Sequence, residues 1–347
     1  MRILVVRTSA MGDVVHCLPV LSALKRRLPG ATIAWVIEKA FAPLLEEHPD
    51  VDRLITVRLR PWRRRPLSAE VRREVAAAIA ELQSFRPDAA LDLMGNHKGG
   101  LLALASGARR RFGASASHRR ETSSAVWINR PVAVRGRHAV DRALEIAAAV
   151  DGDGEADAGA VDFGADKILR RVPPEARTFL DQRAAPFVLI QAGAGWGNKS
   201  YPAPWWGRVA HQLRRRAGVE VWVPVAPGEE HLARAVVAAS GGAARAVDAA
   251  PLPFLAALLR HSSLVLGGDT GPIHLAHAFG TPVLCLIGPT DPARNGPYAL
   301  GGGAASEAVL WHRLPCSNCY RRFAEPKACL LGIPPGEVVE KALGLLV

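Results

Sequence analysis

The stretch from Leu264 to Asp291, LVLGGDTGPIHLAHAFGTPVLCLIGPTD, contains a tripeptide that two unrelated kinds of enzyme use for different chemistry. In an aspartic protease, Asp-Thr-Gly supplies one of two neighbouring carboxylates that share a proton. The sequence has no second Asp-Thr-Gly, which argues against a protease. Asp269-Thr270-Gly271 instead lies between an apolar strand and a short helix, and the first N–H groups of such a helix favour a bound phosphate. The alternative is that Asp269 only caps this helix.

Two further polar clusters also follow predicted strands. RTSAMGD comes directly after the first strand, where Gly12 permits a tight turn and Asp13 is expected at the mouth of an interdomain cleft. QAGAGWGNKSYP follows the first strand of the second half; its glycines let the backbone approach a ligand, and Lys199 adds a positive charge. Doubly wound sheets bind ligands outside the carboxyl ends of their strands. The dinucleotide fingerprint and the Walker sequence are both absent, which excludes the usual nucleotide-binding sites of those kinds.

The elements that position these clusters alternate between short β-rich runs and helical patterns. This alternation is typical of a parallel sheet wound with helices. It is interrupted at 150–185 by a connection rich in Asp, Gly, Ala and Pro. We therefore expect an α/β protein with two Rossmann-like doubly wound domains that face an interdomain cleft. The predicted domains are residues 1–165 and 166–330, followed by a closing helix at 331–347.

The composition sets limits on the compartment and the partners. The 347 residues are 49% apolar and 22% charged, which is ordinary for a globular chain of about two domains. No apolar run approaches the ~20 residues that span a bilayer, and the N-terminus turns polar too early for a signal peptide, so we expect a cytoplasmic protein. Five cysteines do not form a disulfide framework. The net charge of +12 favours anionic partners.

The three polar clusters, in this order and at these strand ends, resemble glycosyltransferase family 9, the bacterial lipopolysaccharide heptosyltransferases, and its type I members most. The similarity is carried by MRILVVRTSAMGDVVHCLPVLSAL, WVIE, RPWRR, HAVDRALEI and DTGPIHLAHAFGTPVLCLIGPTDP. The resemblance implies the GT-B architecture, with an acceptor-binding domain at 1–165 and a nucleotide-sugar donor domain at 166–330, and no cofactor or essential metal. It also implies inverting transfer of heptose from ADP-L-glycero-D-manno-heptose to 3-deoxy-D-manno-octulosonic acid of the lipopolysaccharide inner core.

The resemblance assigns a role to each polar cluster. Inverting transfer requires a base that takes the acceptor hydroxyl proton while the sugar passes through an oxocarbenium-like transition state. Asp13 matches the family position of this base, and the alternative is that Asp13 only caps the following helix. The growing charge of the leaving diphosphate requires stabilisation by Lys199, by backbone N–H groups and by a helix N-terminus. The N–H groups of Thr270 and Gly271 are expected to bind the pyrophosphate.

The remaining donor-site residues follow from the same resemblance. Asp269 is expected to hold heptose hydroxyls and His274 to lie near the diphosphate, with an ordinary buried histidine as the alternative for His274. Glu229 matches the family acid that contacts the nucleoside part of the donor, and the glutamate after it leaves the register open. The family pattern has a hydroxyl-bearing pair before the lysine where this chain has Ala194 and Gly195, so phosphate contacts there must come from the backbone.

The strongest charge run is RLRPWRRRP, from Arg58 to Pro66. Such a run usually forms a solvated face, and the interleaved tryptophan also suggests nucleic-acid binding. No recognised nucleic-acid module accompanies the run, so we expect no nucleic-acid partner. We prefer an acceptor that carries carboxylates and lipid A phosphates, bound by a peripheral protein at the cytoplasmic face of the inner membrane. The predicted acceptor-binding residues are Arg60, Arg63, Arg64 and Arg120.

A cysteine cluster near the C-terminus completes the candidate sites. Cys316, Cys319 and Cys329 include a C-x-x-C that suggests zinc, with His312 as a fourth ligand, but the second half-site is incomplete. We therefore favour a local structural cluster and predict no metal site. Two other functions stay open. One is that of heptosyltransferase II or another family 9 transferase with a different nucleotide sugar; the other is nucleic-acid binding by the Arg58–Arg65 run.

Overall fold

The computed structural model describes residues 1–152, 161–183, 185–248, 251–299, 305 and 308–346. The chain divides into two compact units, Met1–Arg170 (unit 1) and Arg171–Val347 (unit 2). The boundary between them lies in the connection expected at 150–185, of which residues 153–160 and 184 lie outside the described residues.

Unit 1 is built on one parallel sheet. Its strands are β1 (Arg2–Val6), β2 (Thr32–Glu38), β3 (Arg53–Val57), β4 (Ala89–Asp92), β5 (Arg110–Ala114) and β6 (Arg130–Val132). Its helices are α1 (Met11–Cys17), α2 (Pro19–Arg27), α3 (Leu59–Arg64), α4 (Ala69–Ser84), α5 (His97–Ala105) and α6 (Ala139–Ala148), with 3₁₀ segments at Lys39–Leu44, Ala116–His118 and Thr122–Trp127. The six strands run in the order β3-β2-β1-β4-β5-β6.

Unit 2 repeats this plan. Its strands are β7 (Phe187–Gln191), β8 (Glu220–Val225), β9 (Ala244–Asp248), β10 (Leu264–Gly268), β11 (Val283–Leu286) and β12 (Val309–Leu310). Its helices are α7 (Pro174–Asp181), α8 (Ala203–Ala217), α9 (Glu230–Ala239), α10 (Leu252–His261), α11 (Gly271–Ala278), α12 (Pro292–Asn295), α13 (Ala328–Leu331) and α14 (Pro335–Leu345), with a 3₁₀ segment at Gly197–Lys199. The strand order is β12-β11-β10-β7-β8-β9.

The central strands of both sheets, β1 and β4 in unit 1 and β7 and β10 in unit 2, are almost entirely buried. All five residues of β7 and of β10 are buried, as expected for parallel strands that helices cover on both sides. The terminal helix α14 packs against α8 of unit 2, and Tyr201 OH donates a hydrogen bond to Ile333 O at 2.7 Å. Within the described residues, no helix is long and apolar enough to cross a bilayer.

The strand order fixes where ligands can bind in each unit. Each order reverses direction between two central strands, β1 and β4 in unit 1 and β7 and β10 in unit 2. A crevice opens at such a switch point, outside the carboxyl ends of the strands. The expected fold class of two doubly wound α/β domains is confirmed.

Candidate active site

Asp269 follows β10 directly, and its buried carboxylate connects three other side chains. Oδ2 accepts hydrogen bonds from Lys199 Nζ at 2.6 Å and from Thr290 Oγ1 at 2.7 Å. Oδ1 lies 3.0 Å from Nε2 of His274 on α11. Lys199 follows β7 and Thr290 follows β11, so the cluster forms where three neighbouring parallel strands end. The structure therefore brings together three of the predicted donor residues, Lys199, Asp269 and His274.

The electrostatics of this cluster keep Asp269 ionised. Burial alone would raise the pKa of the Asp269 carboxyl, but the hydrogen bond from His274 and the charge of Lys199 outweigh it and hold the pKa well below the usual range. A carboxylate held in this way does not take up a proton near neutral pH. Lys199 Nζ also lies 3.4 Å from the main-chain oxygen of Asp269. The positive charge of Lys199 is therefore largely compensated by Asp269.

Helix α11 begins directly after Asp269, with Thr270 as its N-cap residue. The carboxylate of Asp269 contacts Lys199, Thr290 and His274, so the alternative that Asp269 only caps this helix is wrong. The Thr270 hydroxyl is buried and has no hydrogen-bond partner in the part of the chain that the structure describes. Buried polar atoms are rarely left unpaired, and the first N–H groups of a helix have no partner within it, so this end of α11 is a candidate position for an anion. The expected pyrophosphate position at Thr270 and Gly271 is compatible with this geometry.

Glu229 packs against the glycine-rich turn that follows β7. A Cβ atom added at Gly193 would lie 1.8 Å from Glu229 Oε2, so only glycine permits this approach. Burial raises the pKa of the Glu229 carboxyl, and the nearby charge of Glu230 raises it further. Glu230 itself is exposed and accepts a hydrogen bond from Gly228 N–H at 3.0 Å. Of the two glutamates, Glu229 is the one that faces the turn.

Asp13 lies in the first turn of α1, directly after β1. Its Oδ1 forms an ion pair with Arg7 Nη2 at 2.7 Å, and its Oδ2 accepts a hydrogen bond from Ala10 N–H at 3.1 Å. Burial would lower the pKa of Arg7, but the charge of Asp13 outweighs this effect and the pKa is raised. Asp13 does cap its helix, yet 40% of its side chain remains exposed. The capping role therefore leaves the carboxylate accessible to a substrate.

The predicted acceptor-binding arginines are exposed at the carboxyl edge of the unit 1 sheet, but they form two groups. Arg60, Arg63 and Arg64 lie on α3, which follows β3, and Arg120 follows β5. Among the described residues, no hydrogen bond or ion pair joins the two groups. Spacings of three and four residues place the α3 arginines on one helix face.

Trp62 in the same run has a structural role. Its indole N–H donates to Glu74 Oε2 at 2.9 Å, and its ring packs against the core of unit 1. Glu74 also forms an ion pair with Arg58 at 2.7 Å. Proteins that bind single-stranded nucleic acid offer free aromatic faces on which bases stack, and Trp62 is already used by the core. This contact argues against the nucleic-acid alternative.

The predicted cysteine cluster is close but incomplete. Cys316 and Cys319 are exposed and Cys329 is buried, and all three are free thiols. Burial raises the pKa of the Cys329 thiol, and the other two thiols are near enough to raise it further. Within the described ranges, no group of three or more His, Cys, Asp or Glu side chains has the geometry to hold a metal ion. His312 contacts Glu337, with 2.8 Å between Nε2 and Oε1.

Several polar residues of these sites received no individual role from the sequence: Arg7, Asp92, Arg119, Gln191 and Thr290. Arg7 directly follows β1, and Thr290 lies in the loop after β11. Ligands of doubly wound sheets bind outside the carboxyl ends of the strands, so the positions of these two residues could have indicated them. Asp92 and Arg119 form a fully buried ion pair that no local pattern reveals. Gln191 ends β7, and its buried Nε2 has no partner in the described ranges.

Comparison with known proteins agrees with this geometry. The family model of glycosyltransferase family 9 (heptosyltransferase) matches residues 75–326. Lipopolysaccharide heptosyltransferase 1 of Pseudomonas aeruginosa is 30% identical over 325 residues, which cover 93% of this chain and 87% of that protein. The structure of E. coli heptosyltransferase WaaC with ADP is similar at a TM-score of 0.80 and 26% identity, over 99% of this chain and 100% of that one. WaaC with ADP-2-deoxy-2-fluoro heptose gives a TM-score of 0.78 and 26% identity, over 99% of each chain. The chain therefore belongs to glycosyltransferase family 9, the heptosyltransferases, and is a glycosyl-transferring enzyme.

Proposed function

We propose that this enzyme transfers heptose from ADP-L-glycero-D-manno-heptose to 3-deoxy-D-manno-octulosonic acid of the lipopolysaccharide inner core, with inversion. Two features of this family 9 chain support the proposal. Unit 1 has an accessible carboxylate, Asp13, after its first strand, and unit 2 has a helix N-terminus with an unpaired Thr270 hydroxyl at the carboxyl edge of its sheet. The similarity to proteins named lipopolysaccharide heptosyltransferase 1 supports this donor and acceptor.

In the proposed reaction, Asp13 is the general base. Its carboxylate takes the proton of the acceptor hydroxyl, and the hydroxyl oxygen bonds to the anomeric carbon on the face opposite the leaving group. The bond between that carbon and the phosphate oxygen breaks, and ADP leaves. Arg7 holds the carboxylate in place through the 2.7 Å ion pair, and 40% exposure leaves room for the acceptor.

The donor is proposed to bind along the carboxyl edge of the unit 2 sheet. The diphosphate accepts hydrogen bonds from the N–H groups of Thr270 and Gly271 and from the unpaired Thr270 hydroxyl. The cluster of Lys199, Asp269 and His274 holds the heptose hydroxyls and the near phosphate. Glu229, beside the glycine-rich turn, contacts the nucleoside.

The acceptor is proposed to bind through the exposed arginines of unit 1 at the cytoplasmic face of the inner membrane. Arg60, Arg63 and Arg64 present three charges on one face of α3, and Arg120 adds a fourth at the same sheet edge. Leu67, which follows this run, is 83% exposed. A basic face with a protruding apolar side chain suits a peripheral contact with anionic lipid.

The test is a transfer assay with a defined lipid A acceptor that carries 3-deoxy-D-manno-octulosonic acid. ADP-heptose, ADP-glucose and UDP- and GDP-sugars are offered separately, and the product is identified by mass. We expect transfer from ADP-heptose only, and no effect of EDTA on the rate. Transfer only from another nucleotide sugar would assign a different family 9 activity, and strict dependence on added magnesium would contradict metal-independent catalysis. A gel shift that survives physiological salt, without transfer, would favour nucleic-acid binding instead.

A further inference from the structure

A C-terminal segment of unit 2, residues 320–324, is bound to the glycine-rich turn after β7. Asn198 N–H donates to Phe323 O at 3.1 Å, and Phe323 N–H donates back to Asn198 Oδ1 at 3.2 Å. Asn198 Nδ2 also donates to Arg321 O at 2.9 Å. Because Asn198 is buried, these three hydrogen bonds fix the segment beside Lys199, its neighbour in the chain.

The other side of the segment is bound to the loop after β11. Tyr320 N–H donates to Pro289 O at 3.0 Å, and its hydroxyl accepts from Asp291 N–H at 3.3 Å and donates to Asn295 Oδ1 at 2.9 Å. Strands β7 and β11 are the two neighbours of β10. Residues 320–324 therefore border the same sheet edge that carries Asp269 and the N-terminus of α11.

This arrangement places two cations on one aromatic ring. Lys199 Nζ lies 4.6 Å and Arg322 Cζ 4.4 Å from the ring centroid of Trp196. The two positive centres are therefore within about 9 Å of each other. Each is attracted to the ring, so the indole holds two like charges near one site before any ligand binds.

The two cations differ in what they can offer an anion. Lys199 is paired with Asp269 at 2.6 Å, and the two side chains are only 14% and 7% exposed. Such a pair has almost no net charge and gives little compensation for a departing diphosphate. Arg322 is exposed, and among the described residues no carboxylate forms an ion pair with it. Arg322 is thus the cation of this pair whose charge is not already compensated.

We propose that Arg322 binds the diphosphate of the donor and of the ADP leaving group. The inference deepens the proposed function and rests on it. The guanidinium presents a planar fork of N–H donors that matches two phosphate oxygens, and its contact with the Trp196 ring holds it beside this sheet edge. The charge of Lys199 is compensated by Asp269, so Arg322 provides the positive charge that stabilises the diphosphate. Because it acts on the diphosphate, its contribution depends on the phosphates and not on the nucleoside.

The test compares Arg322→Ala with Arg321→Ala in the full chain by calorimetric titration with ADP and with adenosine. The two variants lose the same charge at adjacent exposed positions, and both keep the backbone hydrogen bonds to Asn198. We expect Arg322→Ala to weaken ADP binding roughly ten-fold and Arg321→Ala to change it less than about two-fold. Adenosine affinity should stay the same in both variants. Arg322→Lys should give an intermediate ADP affinity, because it keeps the charge but not the planar fork.

The possible outcomes separate this inference from the proposed function. Equal ADP affinity of the two alanine variants would overturn the role of Arg322 and leave the transferase proposal intact. Equal weakening of ADP and adenosine by Arg322→Ala would also overturn it, because the residue would then support the fold of the site. Failure of the wild-type enzyme to bind ADP would overturn both proposals.

Discussion

Asp13 in unit 1 and Asp269 in unit 2 each follow a central strand of a six-stranded parallel sheet, yet their carboxylates have different surroundings. Asp269 is buried and receives hydrogen bonds from lysine, threonine and histidine side chains. Asp13 has one guanidinium and one backbone N–H as partners, and 40% of its side chain is exposed. An aspartate at the carboxyl edge of the sheet is thus buried among hydrogen-bond donors in unit 2 and partly exposed in unit 1.

The different surroundings of the two carboxylates suit them to different roles, although both follow a central strand in the sequence. A carboxylate held by several donors in a buried site has a strongly lowered pKa, so it orients groups and does not exchange protons near neutral pH. A carboxylate with fewer donors and free lone pairs can meet a substrate hydroxyl. This difference supports the proposal that Asp13 transfers the proton and that Asp269 positions its neighbours.

The strongest test of this comparison is Asp13→Asn. Asparagine can still accept the hydrogen bond from Ala10 N–H, but it leaves the Arg7 guanidinium without its ion pair. Unit 1 should therefore lose some stability, and less than a fully buried pair would cost, because 40% of the Asp13 side chain is exposed. The amide takes no proton, so kcat should fall on the order of 10² to 10⁴. ADP affinity should be unchanged, because the proposed donor residues all belong to unit 2. Turnover, melting temperature and ADP affinity are measured on the same preparation.

Asp181→Asn is the matched control for this substitution, since Asp181 is exposed at the end of α7 in unit 2. It should leave all three quantities unchanged. Near-normal turnover in Asp13→Asn would show that Asp13 is not the general base. A loss of turnover that the loss of folded protein accounts for would show that the Arg7 ion pair matters more than the proton.

Asp269→Asn should lower the stability of the protein more than Asp13→Asn does. The amide carries no charge to pair with Lys199, and its NH₂ group must face one of the three donors. Removing one partner of a buried ion pair typically costs 3 to 5 kcal/mol, so we expect a loss of about 3 kcal/mol in the free energy of unfolding. Urea denaturation of wild type, Asp269→Asn and Asp13→Asn measures the contrast.

The double variant Asp269→Asn with Lys199→Met tests the cause of that loss. Methionine removes the charge that would be left unpaired, so the double variant should be more stable than Asp269→Asn alone. An Asp269→Asn protein as stable as wild type would show that the cluster is hydrated. Asp13 and Asp269 would then differ in their place in the fold but not in how strongly their partners hold them.

The strand-end clusters were predictable because parallel sheets place the carboxyl ends of their strands at one edge. This rule located Asp13, Lys199 and Asp269 from the pattern of apolar runs. It could not show that Asp269 neutralises Lys199, because the two residues are 70 positions apart and only the fold joins them. The contacts of Asn198 with residues 321 and 323 escape prediction for the same reason.

The basic run shows a second limit of the sequence. Its composition suggested one charged surface, but the structure divides it into two faces. Arg58 and Trp62 are bound to Glu74 of α4, whereas the arginines of α3 remain exposed. Helical spacing alone could have grouped Arg60, Arg63 and Arg64, but the partner on α4 depends on how α3 and α4 pack.

Acid pH offers a smaller contrast between the units. Burial lowers the pKa of His48 in unit 1 to about 4, with the positive charge of Lys167 contributing. The unfolded chain takes up this proton near the ordinary value of about 6.5, so unit 1 should lose stability as the pH falls from 6.5 towards 4. Asp269 has a lowered pKa, so its contribution to unit 2 is kept until the pH falls below the ordinary aspartate value of about 3.9.

His48→Asn tests this contrast. The Asn oxygen can replace Nδ1, which accepts a hydrogen bond from Asp50 N–H at 3.2 Å, but it does not titrate. Between pH 7 and pH 5, wild type should lose up to about 2 kcal/mol more stability than the variant. The measurement is urea denaturation at both values. Equal losses in the two proteins would mean that His48 does not set the acid sensitivity of unit 1.

The exposed arginines of the two units provide the last contrast. Replacing Arg60, Arg63 and Arg64 together with serine should raise the acceptor KM about ten-fold, because exposed charge contacts to an anionic acceptor are individually weak. ADP affinity should change by less than about two-fold, because the proposed donor residues belong to unit 2.

The matched control replaces Arg208, Arg214 and Arg215, which are exposed on α8 of unit 2, with serine. Both triple variants lose three positive charges, so a general effect of net charge would raise the acceptor KM equally in both. We expect only the unit 1 variant to raise it. Added salt should raise the KM of wild type more than that of the unit 1 variant, because salt screens exposed charges. An equal loss of ADP affinity and acceptor use in the unit 1 variant would mean that α3 supports the fold and does not bind the acceptor.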